Sequence, residues 1–383
     1  MDFKLSRSQK EIQKAARDFA KGEFDKELAL ELDRNQTFPR ELHSKASELG
    51  FIGIHYDEAY LGGGLSFVEN VLMAEALCRK DATLGGALML AGYGAECLLR
   101  SGSSALKEAF IPLVAEGKML ASAAIPETVP LNGGDPVSLT AEKEGDNWVI
   151  NGRADQVING GTAGFCCALC RTALEAPSDK GFSMFLVEGD RDGLSVAGSI
   201  ETLGLRLTAM ADLHFDNVRV PASNLIGKAG QGLQELRAFT RESRVLMAGL
   251  ALGIGQGALD RAISYVKQRE QFGQKIGLFQ VTAHKLADMA LRMEQARSLT
   301  YQAAWELNQK KPDTRLTSMA KLAATRAALA VTHEAIQLHG GYGYTTEYEV
   351  ERFCRDAKTL EIMGGTTGPL KDDIAAAIIK KIN

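Results

Sequence analysis

From Leu5 to about Lys118, apolar residues recur every three and four positions, as in QKEIQKAARDFAKGEF, PRELHSKASELGFIGI and SFVENVLMAEALCRK. That period belongs to helices with one buried face, so this part is predicted to be helical. Between about Met119 and Ile226 the pattern changes to short alternating runs set off by Gly, Asn and Asp: SLTAEKEGDNWVINGRADQVING, GFSMFLVEGDRDGLSVAG, ADLHFDNVRVP. Alternation with turn residues at this spacing predicts an antiparallel barrel or sandwich. From Gln231 long amphipathic segments return, broken at QFGQKIGLF, NQKKPDT and LHGGYGYTTEYE, which predicts a bundle of four or five helices. The expected fold class is α+β, mostly α: a helical domain over residues 1–118, a β domain over 119–226 and a helix bundle over 227–383. No internal repeat or low-complexity tract interrupts this order.

A chain of 383 residues has room for two or three packed domains. Its net charge of -4 supplies no electrostatic footprint for nucleic acid or an anionic membrane, and neither is expected as a partner. The start, MDFKLSRSQKEIQKAARDFAKGEFDKE, is charged and helical in pattern rather than built like a signal peptide. The longest apolar run, VLMAGLALGIGQGAL, is interrupted by glycines and Gln256, short of a membrane span. A cytoplasmic location is expected.

Cys167 and Cys170 form a CxxC with Cys166 beside them, in the apolar, strand-like run GFCCALCRTAL. No second CxxC or HxxxH accompanies it, so these are read as buried reduced thiols rather than zinc ligands. The six histidines are scattered without metal spacing.

The motifs in the C-terminal half resemble those of the acyl-CoA dehydrogenase family. YVKQREQFGQKIGLFQ is similar to its R-x-x-F-G...FQ segment, and AIQLHGGYGYTTEYEVERFCRDAK to its Q-x-x-GG-x-G...R-x-x-RDA segment. The likeness continues upstream through ETLGLRLTAMADLHFDNVRVPASNLIGKAGQG, RKDATLGGALML and YLGGGLSFVEN, so it spans nearly the whole chain. A shared fold does not by itself fix the reaction.

The resemblance implies FAD as cofactor. A pyrophosphate calls for a guanidinium and backbone N–H groups, and an adenine for a flat apolar slot. By resemblance, Arg269 and Phe272 contact the FAD of a neighbouring subunit, Gln337, Gly340 and Gly341 let backbone approach its adenosine diphosphate half, and Thr366 sits at the same cofactor. At the ring end the sequence departs from the family. Its T-E-P-x-x-G-S-D becomes IPETVPLNGGD, with Glu127 too far from Asp135 and Gly134 in place of the serine. Its W-x-T-N-G becomes QVINGG, so Gln156 replaces the aromatic that covers the flavin and Ile158 the hydroxyl, while Asn159 remains.

The family's glutamate, which removes the proton alpha to the thioester, aligns with Gly364 in IMGGT. A second family position, on an earlier helix, holds Ser243 before Arg244; Glu242 is one residue away, about 100 degrees round the helix. Three explanations follow. The substrate is a CoA ester whose acidic proton is not alpha, such as an alicyclic enoyl-CoA with a vinylogous gamma proton; or the chain is the base-deficient subunit of a heteromer; or it is a non-catalytic relative. The first is preferred, because a glycine removes the base and opens room for a ring or branched acyl group. Glu361, three residues before Gly364, is the candidate substitute base. Arg244, Tyr93, Glu96 and Gly364 are candidate substrate-pocket residues, and Asp81 is expected to be structural. The resemblance further implies an electron-transfer flavoprotein as acceptor and a homotetramer built as a dimer of dimers.

Overall fold

The computed structural model of the chain describes residues 4–126, 138–173, 180–309 and 312–379; Glu127, Gly134 and Asp135 lie outside them. The N-terminal part is seven helices: α1 (Arg7–Glu23), α2 (Lys26–Asn35), α3 (Arg40–Glu48), α4 (Phe67–Lys80), α5 (Ala82–Met89), α6 (Ala95–Ser101) and α7 (Ser104–Ala115). Local chemistry sets several starts. Ser6 and Gln9 close a capping box on α1, Ser66 and Glu69 another on α4, and the Asp81 carboxylate caps α5 through Thr83 N and Leu84 N.

The middle part is a sheet of β1 (Ala121–Ala124), β2 (Leu139–Glu144), β3 (Asn147–Val157), β4 (Phe165–Arg171), β5 (Phe182–Glu188), β6 (Leu194–Ser199), β7 (Ala211–Pro221) and β8 (Leu225–Ile226). The hydrogen-bonded order is β6-β7-β3-β2-β4-β5-β8, with β1 parallel to β4. Strand β4 is apolar without alternation because both its faces are covered. Phe165, Cys167 and Leu169 pack into the helical core, and Cys166, Ala168 and Cys170 into the core of the β domain. Residues three apart on a strand face opposite ways, so Cys167 and Cys170 cannot converge on one ion. They are buried thiols, and burial pushes the Cys166 thiol up to about 11.

The bundle consists of α8 (Gly232–Gln268), a hairpin of β9 (Glu270–Gln271) and β10 (Gln274–Lys275), then α9 (Gln280–Leu307), α10 (Thr314–His339), α11 (Val350–Ile362) and α12 (Thr367–Ile379). The apolar run of the sequence is the middle of α8, buried between α4 and α10; no described helix is long and apolar enough to cross a membrane. Its glycines set the approach to α4. A Cβ on Gly253 would lie 2.5 Å from Glu75 O, and one on Gly257 2.3 Å from Arg79 O.

The three parts are tied by α11. Arg352 forms a bidentate pair with Asp81, 2.8 Å on each arm, with both side chains almost fully buried. Asp356 accepts from Thr83 Oγ1 at 2.5 Å and from Leu205 N at 2.6 Å, and Arg355 reaches Asp33 at 3.0 Å and Leu203 O at 2.9 Å. Removing one partner of a buried pair strands the other charge. Arg352→Met is therefore expected to cost about 3–5 kcal/mol in denaturant unfolding, and the double variant Arg352→Met/Asp81→Asn less than the sum of the two single changes.

Candidate functional site

The three parts meet round a cleft of about 400 Å3. The helical part contributes Tyr93, from the turn after α5; the β domain contributes Ile125, Gln156, Ile158 and Met210; the bundle contributes Thr359 and Met363. Most of the wall is apolar and the polar groups are few. The bend that brings β3 to it has two non-glycine residues in the left-handed region, Gln156 (φ 56) and Asn159 (φ 58). Gln156 N is held by Asp212 Oδ1 at 2.8 Å. Asn159 is buried behind the bend and donates to Leu90 O (2.7 Å) and Ala121 O (3.0 Å), which locks the loop to the helical part while leaving its Oδ1 without a partner. Ile158, between them, lines the cleft. A largely apolar cleft with Asp155, Gln156, Thr202, Lys358 and Thr359 among its lining residues suits a heteroaromatic ring with a polar rim.

Gly364 follows α11 in a turn fixed from below by Lys321, a residue that sequence reasoning missed. Its fully buried ammonium donates to Glu361 O (2.9 Å) and Gly365 O (2.6 Å). The signal was present, as a single lysine in the apolar face of α10. Gly364 has φ 71, and a Cβ there would lie 3.4 Å from Ser243 Oγ and 2.9 Å from Met247 Cγ. Ser243 in turn shares a hydrogen bond with Tyr93 Oη at 3.1 Å. The two places where a carboxylate base was sought are therefore neighbours in space, and they present a glycine and a hydroxyl. The room that the glycine was expected to open is taken by Met247.

Several sequence-based expectations need correction. Glu361 is held by Lys358 at 2.5 Å and is not on the cleft wall, although Thr359, Ile362 and Met363 are. Arg244 is not on the cleft wall; it is buried and donates to Ser318 Oγ (2.9 Å) and Asp373 Oδ2 (2.6 Å), joining α8 to α10 and α12. Glu96 lies away from the cleft, 3.5 Å from His55 Nε2. Asp155 is the one carboxylate on the cleft wall among the described residues, and Arg153 holds it at 2.5 Å. Asp81 is structural, as read from the sequence.

Glu242 turns to Arg100. Burial pushes its carboxyl up to about 7, against the opposing pull of Arg100 and with help from Glu96. Solvent still reaches 26% of its side chain, which moderates the effect.

Of the other predicted cofactor residues, Arg269, Phe272, Gln337, Gly340 and Gly341 lie at or just past the C-terminal ends of α8 and α10, while Thr366 follows the Gly364 turn at the start of α12. Arg269 ends α8 with its guanidinium 5.8 Å from the Tyr342 ring, beside Gly340 and Gly341, where an added Cβ would meet nothing within 4 Å. Gln337 and Thr366 are exposed, and Phe272 is 93% exposed. None of these residues lines the cleft.

A helical part, a small sheet and a bundle meeting round one largely apolar cleft, together with the matches that follow, place the chain in a class of flavin-dependent oxidoreductases. Residues 6–118, 128–218 and 230–379 match the N-terminal, middle and C-terminal domains of acyl-CoA dehydrogenase. The chain belongs to the acyl-CoA dehydrogenase family, FAD-dependent oxidoreductases that act on CH–CH donors. It is 34% identical to the short-chain specific acyl-CoA dehydrogenase of Clostridium acetobutylicum, over 99% of this chain and 100% of that one. Among solved structures it is similar to butyryl-CoA dehydrogenase from Megasphaera elsdenii (31% identity, TM-score 0.91, 99% and 100% covered). It is also similar to a glutaryl-coenzyme A dehydrogenase in its glutaryl-CoA complex (32%, TM-score 0.92, 99% and 97%).

The raised Glu242 sets a pH dependence. A carboxyl that holds its proton more tightly folded than unfolded contributes stability that is full below the ordinary glutamate range and lost as pH rises through about 7. Glu242→Gln should therefore gain stability relative to the parent between pH 5 and pH 8, read as the difference of thermal midpoints at each pH.

Proposed function

We propose that the chain is an FAD-dependent dehydrogenase of a CoA thioester whose acidic hydrogen is not the alpha hydrogen reached from position 364. The observation that carries this reading is the convergence of Gly364 and Ser243: both positions open to a base meet at one point, and neither offers a carboxylate. The nearby acids are engaged elsewhere, Glu361 with Lys358 and Glu242 with Arg100. An acyl group with a vinylogous gamma hydrogen, such as an alicyclic enoyl thioester, keeps the activation by the thioester carbonyl and moves the proton away from this corner. Room for its ring lies in the cleft of about 400 Å3 rather than at Gly364.

Bound FAD would accept the hydride. Gln156 and Ile158 are the residues for its ring, Thr366 sits at the same cofactor, and Arg269, Phe272, Gln337, Gly340 and Gly341 serve the adenosine diphosphate half. The latter group is exposed and remote from the cleft wall, which supports the reading that it serves a neighbouring subunit's cofactor in a homotetramer. Electrons would leave to an electron-transfer flavoprotein. Similar solved proteins are a butyryl-CoA dehydrogenase and a glutaryl-coenzyme A dehydrogenase in complex with glutaryl-CoA, which supports a thioester of modest size here.

Two outcomes test the reading. Arg269→Ala removes a charge-assisted partner of the pyrophosphate and should weaken FAD binding by about 1.5–3 kcal/mol, seen as flavin loss on dilution. For the base, Ser243→Glu places a carboxylate on a regular helix beside Gly364. Dehydrogenation of saturated acyl-CoA should then rise at least about tenfold, measured at equal FAD loading with an artificial acceptor. Gly364→Glu should do less, because its side chain must accept φ 71 and displace Met247. If Ser243→Glu binds flavin and ester as the parent does and gains no activity on saturated esters, the missing carboxylate is not what limits alpha abstraction.

A further inference from the structure

Asp155 and Gln156 are adjacent on β3, yet both line the cleft. Neighbours on a regular strand face opposite sides, so the strand must break its period here. The pairing with β7 shows the break. Ala154 lies opposite Leu213 and Val157 opposite Ala211, which leaves Asp155 and Gln156 against the single residue Asp212. A bulge of this kind re-aims side chains. Ala154 and Val157, three apart, both pack into the core of the β domain, and the two residues between them are both left exposed on the cleft wall.

The bulge is strained, and it is latched. Gln156 has φ 56, a backbone region that favours glycine, and it carries a full side chain there. Its N–H donates to Asp212 Oδ1 at 2.8 Å, while Arg153 Nη2 donates to Asp212 Oδ2 at 2.6 Å. The same guanidinium places its Nε 2.5 Å from Asp155 Oδ1. One carboxylate therefore fixes the backbone of the bulge and, through Arg153, orients the side chain of Asp155. The Gln156 N–H first, and Arg153 after it, hold the Asp212 carboxyl below the usual carboxylate range, so it is ionised at neutral pH.

A strained residue persists where its surroundings over-determine it, and this one stands on the wall of the site. A glycine at position 156 would accept the backbone without strain and would take the side chain away from the cleft. Asp212 itself is not on the cleft wall, so its influence on the site passes through the bulge.

We propose that Asp212 is a positioning residue for the flavin: its carboxylate latches the β3 bulge and so presets Gln156 and Asp155 as a wall for the isoalloxazine ring. The assignment rests on the placement of the ring beside Gln156 and Ile158 made above. A ring that meets a preset wall orders less of the protein on binding, and the latch is felt as cofactor affinity.

The test is a double-mutant cycle of Asp212→Ala and Gln156→Gly, read by FAD affinity, by the visible absorbance of bound flavin and by the thermal midpoint of the apoprotein. Asp212→Ala should lower the midpoint and weaken FAD about tenfold, with the flavin bands moving toward those of free FAD. Gln156→Gly should also weaken FAD but leave the midpoint at or above that of the parent, because relief of the left-handed backbone offsets the greater freedom of glycine in the unfolded chain. In the Gln156→Gly background, Asp212→Ala should lower the midpoint much less than it does alone. Asp212→Asn keeps an acceptor for Gln156 N–H and should retain most of the FAD affinity, which covers the case in which Asp212→Ala does not fold. Affinity for ADP, which lacks the ring, should stay that of the parent in every variant. FAD affinity and spectrum unchanged in Asp212→Ala, equal loss in Asp212→Asn and Asp212→Ala, or parallel loss of FAD and ADP overturns the latch alone. If Gln156→Gly also leaves FAD affinity and spectrum unchanged, the placement of the ring beside Gln156 fails with it.

Discussion

The buried pair between Arg352 and Asp81 is the constraint on which the rest of the site depends. Asp81 ends α4, caps α5 and neutralises α11, so one carboxylate fixes the relation of the N-terminal helices to the bundle. Two charges in an interior are tolerated only with this degree of hydrogen bonding. Asp356, one turn further along α11, extends the same network to the β domain through Leu205 N. There the backbone must come very close: a Cβ on Gly204 would sit 2.4 Å from the carbonyl carbon of Arg355, so only glycine permits the contact. The loop thus clamped lies between β6 and β7 and supplies Thr202 and Leu203 to the cleft.

Holding α11 in this way aims its C-terminal end at the cleft. Lys321 then sets the turn that follows, since its ammonium needs the carbonyls of Glu361 and Gly365 and has no solvent to replace them. The position of Gly364 against Ser243 and Met247 follows from this scaffold rather than from the residue itself. The scaffold that would present a carboxylate is intact, and the carboxylate is missing from it.

Much of the fold was legible because hydrophobic period and turn residues report directly on burial. The switch from a period of three to four to one of two, and back, falls where α7 gives way to β1 and β8 to α8. The apolar stretches around Cys166 and along α8 lost their alternation for a reason no single segment contains, namely cover on both sides from other parts of the chain. At the site, Tyr93, Gln156 and Ile158 could be placed by motif. The fates of Glu361, Arg244 and Glu96 could not, because each is decided by a partner far off in sequence or by a small rotation: Lys358, Asp373 and His55 respectively. Lys321 was overlooked since a lysine in a helix is ordinarily a solvated charge.

The two unusual features of the pocket are best understood together. Gly364 and Ser243 meet beside Tyr93 without an ionisable group between them, while Glu361 is engaged by Lys358 and Glu242 by Arg100. A carboxylate beside the thioester alpha carbon favours generic acyl chains, since every saturated chain carries that hydrogen. On the reading proposed above, a glycine at 364 and a serine at 243 leave the alpha hydrogen of an ordinary saturated thioester without a carboxylate at this corner, which favours a substrate activated elsewhere along its acyl group.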